Sequence, residues 1–305
     1  MRPSTRKRRE QQRPQQPRKR RIAVIGGFGQ LGEAIHNTPH AADTEYYLLS
    51  RSLVDLCSSY SISRIKYSPD RFDIVINCGA YTNVERAEEQ SELAEEVNAC
   101  GVALLSKICK ECGIPLIHIS TDYVFGGDTQ RDTPYDESDS PAPINAYGLS
   151  KLHGEEALRD NDLAIVIRTS WLYSPWGNNF YRTISSLSSS QPEISVVDDQ
   201  RGTPTSALSL ARFIVDIIDS GKLNTMHGIY HYTDGGEATW YDFARAIVEL
   251  TDAECNVVPI TSAERKTLAA RPHYSVLGKR RITELGVTPP PWREALAEVI
   301  NFYRR

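Results

Sequence analysis

The hydrophobic pattern begins at Arg21-Ile-Ala-Val-Ile25, a short β-branched run that stops at glycines and reads as a buried strand. Leu31 to His36 reads as a helix start. Tyr46-Tyr-Leu-Leu49 and Asp73-Ile-Val-Ile-Asn77 read as a second and third strand. Glu92 to Cys112 places Leu93, Val97, Val102, Leu104, Leu105 and Ile108 at helical spacing. A fourth strand follows Gly113, from Ile114 to Ile119. Ala146 to Leu158 reads as a helix and Leu163 to Ile167 as a fifth strand. Strands alternating with helices predict an α/β fold, a doubly wound parallel sheet with helices on both faces. After Arg168 the rhythm breaks into short elements separated by turns such as Ser174-Pro-Trp-Gly-Asn-Asn179 and Gly202-Thr-Pro-Thr205. Amphipathic helices are expected at Trp240–Leu250 and Trp292–Tyr303. The expected organisation is a nucleotide domain over 22–168 and a smaller, partly interwoven substrate-binding region over 169–305, with segments returning to the first.

Charge adds a third part. The first 21 residues carry ten Lys or Arg against one acid, Glu10. The other 25 basic and 38 acidic residues leave the body near −13. So polar a tail is expected to be disordered, because it has too little apolar surface to offset chain entropy. The acidic body argues against nucleic acid as the main ligand. No apolar run approaches the roughly 18 residues that span a bilayer, and no signal peptide is read. Six cysteines spread over 305 residues suit a reducing cytoplasm. The C-x-x-C at Cys109–Cys112 has no second pair or nearby His, so helix-end packing is expected there and no metal.

Gly26-Gly-Phe-Gly29-Gln-Leu-Gly32 lies between the first strand and the first helix, as in a Rossmann nucleotide turn. Glycine lets the backbone approach a pyrophosphate, and the helix N-terminus stabilises the anion. Ser50-Arg51 ends the second strand, where an acid would bind a ribose 2′-hydroxyl and an Arg accommodates a 2′-phosphate. NADPH is therefore favoured over NADH, with Asp55 and Leu56 expected beside the adenine. Small residues at Cys78-Gly-Ala-Tyr81-Thr82 would let the cofactor cross the strand ends.

Tyr147 and Lys151 stand at i and i+4 of one helix and share a face. The lysine ammonium is expected to favour the phenolate and lower the tyrosine pKa. Tyr147 can then give a proton to a carbonyl oxygen as hydride reaches its carbon. Thr121 can donate a second hydrogen bond to that oxygen, and Lys151 can hold the nicotinamide ribose.

With these residues in place, the chain resembles the extended short-chain dehydrogenase/reductase superfamily. Within it, the chain is similar to the dTDP-4-dehydrorhamnose reductase family, from Ile22 almost to the C-terminus. The matching segments are Gly29–Gly32, Asn77–Glu85, Ser120–Phe125, Pro143–Leu152, Arg168–Tyr173, Gly177–Phe180, Asp198–Thr205 and Arg271–Ser275; the later ones discriminate, because the nucleotide turn and Y-x-x-x-K are shared across the superfamily. The resemblance implies Thr121, Tyr147 and Lys151 as the catalytic set and Gly29, Gln30 and Leu31 at the pyrophosphate. It implies Ala80, Tyr81 and Thr82 along the cofactor channel, and Thr121, Asp122 and Trp171 at a dTDP-sugar. Trp171 also reads as a core aromatic. Asn178, Asn179, Gln200 and Arg271 are further substrate candidates, Arg271 for diphosphate because its planar fork suits phosphate oxygens. A homodimer and Mg²⁺ are implied by resemblance alone. Relatives that dehydrate nucleotide sugars have a Glu where Tyr123 stands, so elimination lacks its base. Epimerases remain an alternative, as does a dinucleotide-binding partner protein similar to the regulatory β subunit of methionine adenosyltransferase.

Overall fold

The computed structural model describes residues 18–67 and 71–302. Strand β1 (Arg20–Ile25) leads through the glycine turn to α1 (Gln30–His36). Then come β2 (Thr44–Leu49), α2 (Ser59–Tyr67), β3 (Ile74–Asn77), α3 (Val84–Glu89) and α4 (Ser91–Glu95). A π-helical segment, Glu96–Cys100, joins α4 to α5 (Gly101–Cys112). Next are β4 (Leu116–Thr121), α6 (Ala146–Glu156) and β5 (Ala164–Thr169). The second half holds β6 (Leu172–Tyr173), α7 (Phe180–Ser188), β7 (Glu193–Val197), β8 (Arg201–Gly202), β9 (Thr205–Ser206) and α8 (Ala207–Asp219). It continues with β10 (Gly228–His231), β11 (Ala238–Thr239), α9 (Trp240–Leu250), β12 (Asn256–Ile260), α10 (Arg280–Glu284) and α11 (Trp292–Ile300).

The main sheet runs β2-β1-β3-β4-β5-β10, and every pair is parallel. Apolar side chains fill both of its faces. Ile22, Val24, Ile76 and Ile117 pack towards α1, α8 and α9, while Ala23, Ile25, Val75 and Leu116 pack towards α2 and α5. The strand order reverses between β1 and β3, which opens a crevice beyond the carboxyl ends of the strands. The glycine turn, the segment after β3 and the residues ending β4 all meet there.

Two expectations change. Residues 1–17 of the basic tail lie outside the described residues. Arg18–Arg21, assigned to that tail from sequence, belong to the fold instead: β1 begins at Arg20, and Arg18 pairs with Asp73 at 3.4 Å. The single helix expected over Glu92–Cys112 is broken by the π segment. There Asn98 turns inward, accepting from the Tyr81 amide at 2.9 Å and donating to the Ser150 hydroxyl at 3.0 Å. The sixth strand, β10, comes from the second half and pairs with β5. At the end of α5, Gly113 adopts φ 66°, Cys109 is buried and Cys112 half-buried, both as free thiols.

Candidate active site

The crevice is a cleft of about 790 Å³. Its floor and walls include Gly26, Gly29, Gln30, Leu31, Arg51, Ala80, Thr82, Thr121, Asp122, Tyr147, Lys151, Trp171, Asn178, Asn179 and Arg271. Residues 245 positions apart in sequence thus share one cavity. A second cavity of about 830 Å³ lies beyond α6, beside Leu152 and Arg159, and holds none of the candidate site residues.

Two glycines explain the nucleotide turn. Gly26 has φ 71°, and a Cβ there would come within 2.7 Å of the Gly79 amide nitrogen. Gly32 sits one turn into α1, where a Cβ would collide with the Gly27 carbonyl. Gly32 therefore brings helix and turn together and does not itself line the cleft. The amides of Gln30 and Leu31 stand at the start of α1, with no side-chain cap on them. That cradle, closed to any side chain, suits a pyrophosphate.

Thr121 ends β4 and Tyr147 opens α6, whose N-cap Asn145 accepts from the Gly148 amide at 2.7 Å. The Thr121 hydroxyl donates to Asp122 Oδ1 at 3.1 Å and accepts from the Tyr123 amide at 3.2 Å. Burial pushes the Tyr147 phenol above its usual range, with Thr121 opposing. The expected phenol–ammonium electrostatics are not what sets it. Lys151 Nζ instead donates to the Ile119 carbonyl at 2.7 Å and lies 3.3 Å from His118 Nε2. Burial pulls the lysine down to about 8, while Glu155 and Cys78 act in the opposite sense. Asp122 is buried and pushed up to about 6, although Ser275 Oγ donates to it at 2.6 Å.

Several sequence candidates fall elsewhere. Tyr81 is outside the cleft lining; its hydroxyl donates to Gln90 and its ring packs beside Ala87 and Ala94. Asp55 is held by Arg51 at 3.3 Å and by the Cys57 amide, and Leu56 is core, packed below Gly79 and Gly101. Neither lines the cleft. Gln200 lines a small adjoining pocket, donating to Ser262 Oγ at 2.7 Å; the pocket meets the cleft at Trp240 and Arg271. Asn179 caps α7 and donates to Gln30 Oε1 at 2.8 Å, so it braces the nucleotide turn from its second wall. Trp171 is both cleft wall and packing residue: it has φ 45° and stacks on Trp240 at 3.6 Å. Arg271 pairs with Glu85 at 2.9 Å, while its buried Nε has no partner. Cleft residues that were not among the site candidates include Phe28, Thr169, Ser170 and Trp240. An exposed Phe inside a glycine turn was the one legible signal among them.

Among the described residues, no group of three or more His, Cys, Asp or Glu could hold a metal ion, so nothing there supports the Mg²⁺ that resemblance implied. No helix there is long and apolar enough to cross a membrane.

Residues 20–305 match the family described as RmlD substrate binding domain. A dTDP-4-dehydrorhamnose reductase of Mycolicibacterium smegmatis is 38% identical over 284 residues, covering 92% of this chain and 85% of the relative. The spore coat polysaccharide biosynthesis protein SpsK of Bacillus subtilis is 35% identical, covering 92% and 97%. The crystal structure of dTDP-4-dehydrorhamnose reductase from Bacillus anthracis in complex with NADP superposes with a TM-score of 0.87 at 34% identity, covering 94% of this chain and all of that one. A parallel sheet with its crevice at the switch point, a glycine turn and a Thr–Tyr–Lys set in one cleft are thus accompanied by whole-chain likeness, and the chain belongs to the RmlD family of the extended short-chain dehydrogenase/reductase fold.

Proposed function

We propose that the chain is an NADPH-dependent dTDP-4-dehydrorhamnose reductase. It reduces the C4 ketone of dTDP-6-deoxy-L-lyxo-4-hexulose to give dTDP-L-rhamnose, a step of nucleotide-sugar and polysaccharide biosynthesis. The observation that carries this is the single cleft in which the glycine turn, Thr121, Tyr147 and Lys151 meet Trp171 and Arg271. The named relatives supply the substrate class.

The chain's own residues divide the work. The α1 amides and Gly29 would hold the cofactor's pyrophosphate, and Arg51 its 2′-phosphate, with Ala80 and Thr82 beside its path. NADPH, when bound, supplies the hydride. Tyr147 is protonated at neutral pH because burial disfavours the phenolate, so it is an acid ready to protonate the oxygen at C4. Thr121 steadies that oxygen from the β4 side. Lys151, as ammonium, holds the cofactor ribose. Arg271, with a free buried Nε, is placed for the diphosphate. Tyr123 meets Tyr147 edge-on at 5.7 Å and offers no carboxylate for elimination. A homodimer in the cytoplasm is part of this reading, the dimer by resemblance and the reducing compartment by the free thiols of the described residues.

Purified protein with NADPH and the dTDP-ketosugar is expected to consume cofactor absorbance and yield dTDP-L-rhamnose. Cofactor binding without turnover, together with retention of a methionine adenosyltransferase catalytic subunit, would replace the enzyme reading with the partner-protein one. Arg51→Ala is expected to raise KM for NADPH about tenfold, the loss of one charge-assisted contact, and to leave NADH nearly unchanged. Equal effects on both cofactors would mean that Arg51 does not meet the 2′-phosphate.

A further inference from the structure

His118 lies at the centre of β4, fully buried, and the reaction as drawn does not use it. Its Nδ1 is 3.1 Å from Asn77 Nδ2, and its Nε2 is 3.3 Å from Lys151 Nζ. The Asn77 amide is fixed from the other side, because its Oδ1 accepts the Gly79 N–H at 3.1 Å. Its NH₂ therefore faces the ring and donates to Nδ1. Burial, aided by Lys151, holds His118 well below its ordinary range, so the ring is neutral. A neutral imidazole has one donor and one acceptor nitrogen. With Nδ1 accepting, the proton is on Nε2 and points at Lys151. An ammonium has no lone pair to receive it, whereas a neutral amine does and still has hydrogens for the Ile119 carbonyl.

We propose that His118 is a positioning residue for Lys151: it donates Nε2–H to the neutral amine and so opposes the ammonium form. The chain of bonds begins at Gly79, which lines the cleft where the cofactor strand ends lie, and passes through Asn77 and His118 to α6. It ties the proton count of the lysine to the backbone at the mouth of β3. The other groups facing Lys151 act against His118. Glu155, one turn on in α6 and held by Arg168 of β5, favours the ammonium, as does Cys78 after β3. The inference rests on the reductase reading only in the kinetic half of its test.

Removing a donor to the neutral form raises the lysine pKa. The alkaline limb of kcat/KM, near the lysine value of about 8 in the wild type, is therefore expected to move up by about one unit in His118→Leu. His118→Gln presents an NH₂ to Lys151 and a carbonyl to Asn77, and is expected to return the limb to its original position. Lowered activity or stability in both variants with an unmoved limb would overturn the proposal and leave His118 a packing residue. Histidine ¹⁵N NMR of the wild type at a pH above the lysine value of about 8, where the amine is neutral, with the His118 signal assigned by its loss in the Gln variant, reads the tautomer without any turnover. A neutral Nε2-protonated ring is expected. An Nδ1-protonated ring would overturn the proposal even in an active reductase. The expected tautomer in a protein that does not reduce the sugar would support the hydrogen-bond assignment and count against the reductase reading alone. If the Leu variant does not fold, the ring tautomer and the Gln limb decide.

Discussion

Tyr147→Phe is expected to lower kcat by a factor on the order of 10³, within the range that a positioned general acid contributes, while NADPH binding stays within about threefold of wild type. The phenol is buried at the start of α6 and shares the cleft with Thr121. Phe keeps the ring and its edge contact with Tyr123 but removes the hydroxyl assigned to protonate the reacting oxygen. The sign of the pKa shift matters. A phenol held above its ordinary range is fully protonated at neutral pH, so the wild type begins each turnover with the proton in place. NADPH consumption with the ketosugar gives kcat, and a fluorescence titration gives cofactor affinity. Retention of kcat within tenfold would reassign proton delivery to another group in the cleft. Loss of cofactor binding would make Tyr147 structural.

Glu155→Ala is expected to destabilise the fold by about 3–5 kcal/mol, as when one partner of a buried ion pair is removed. Arg168 is 1% exposed, and its guanidinium meets Glu155 twice, at 2.9 and 2.6 Å. Without the carboxylate the charge stays buried, left with the Phe125 ring at 5.0 Å and His231 Nε2 at 3.4 Å. Such a loss is a large fraction of the 5–15 kcal/mol that typically holds a protein together. Replacing both partners with Met should cost less than the single change, because no lone charge then remains inside. Urea denaturation of wild type, Glu155→Ala and the double Met variant orders the three. A double variant less stable than the single one would mean that the pair stabilises through more than its mutual charge. Ser120 also donates to Glu155, so the same pair joins β4, β5 and α6 directly behind Lys151.

The two halves of the chain were unequally readable. Strands β1, β3, β4 and β5 are apolar runs bounded by turn residues, and a strand buried on both faces leaves that trace in sequence. The break between α4 and α5 left none. Both sides keep the same apolar spacing, and the π turn at Asn98 exists because its side chain satisfies the Tyr81 backbone and Ser150, partners 17 and 52 residues away. Strand β10 is four residues with a His at its end, and only its pairing with β5 makes it a strand. The misplaced site candidates share a cause. Tyr81 sits in a segment that does reach the cleft, and Gln200 in one that reaches only the adjoining pocket, and which way each side chain points depends on local bonds such as Tyr81 to Gln90 and Gln200 to Ser262.

What the linear order of residues determined was the alternation of elements, the glycine turn and the set Thr121, Tyr147 and Lys151, because periodicity, small size and i,i+4 spacing are local properties. The tertiary structure alone decided that Lys151 faces His118 and Ile119 rather than acting on the phenol, and that charged Arg168 and Glu155 are core residues. It alone placed Arg271 across from the nucleotide turn. Burial and partnership are relations between distant segments, and a charge or an imidazole has no fixed role until the fold has chosen its neighbours.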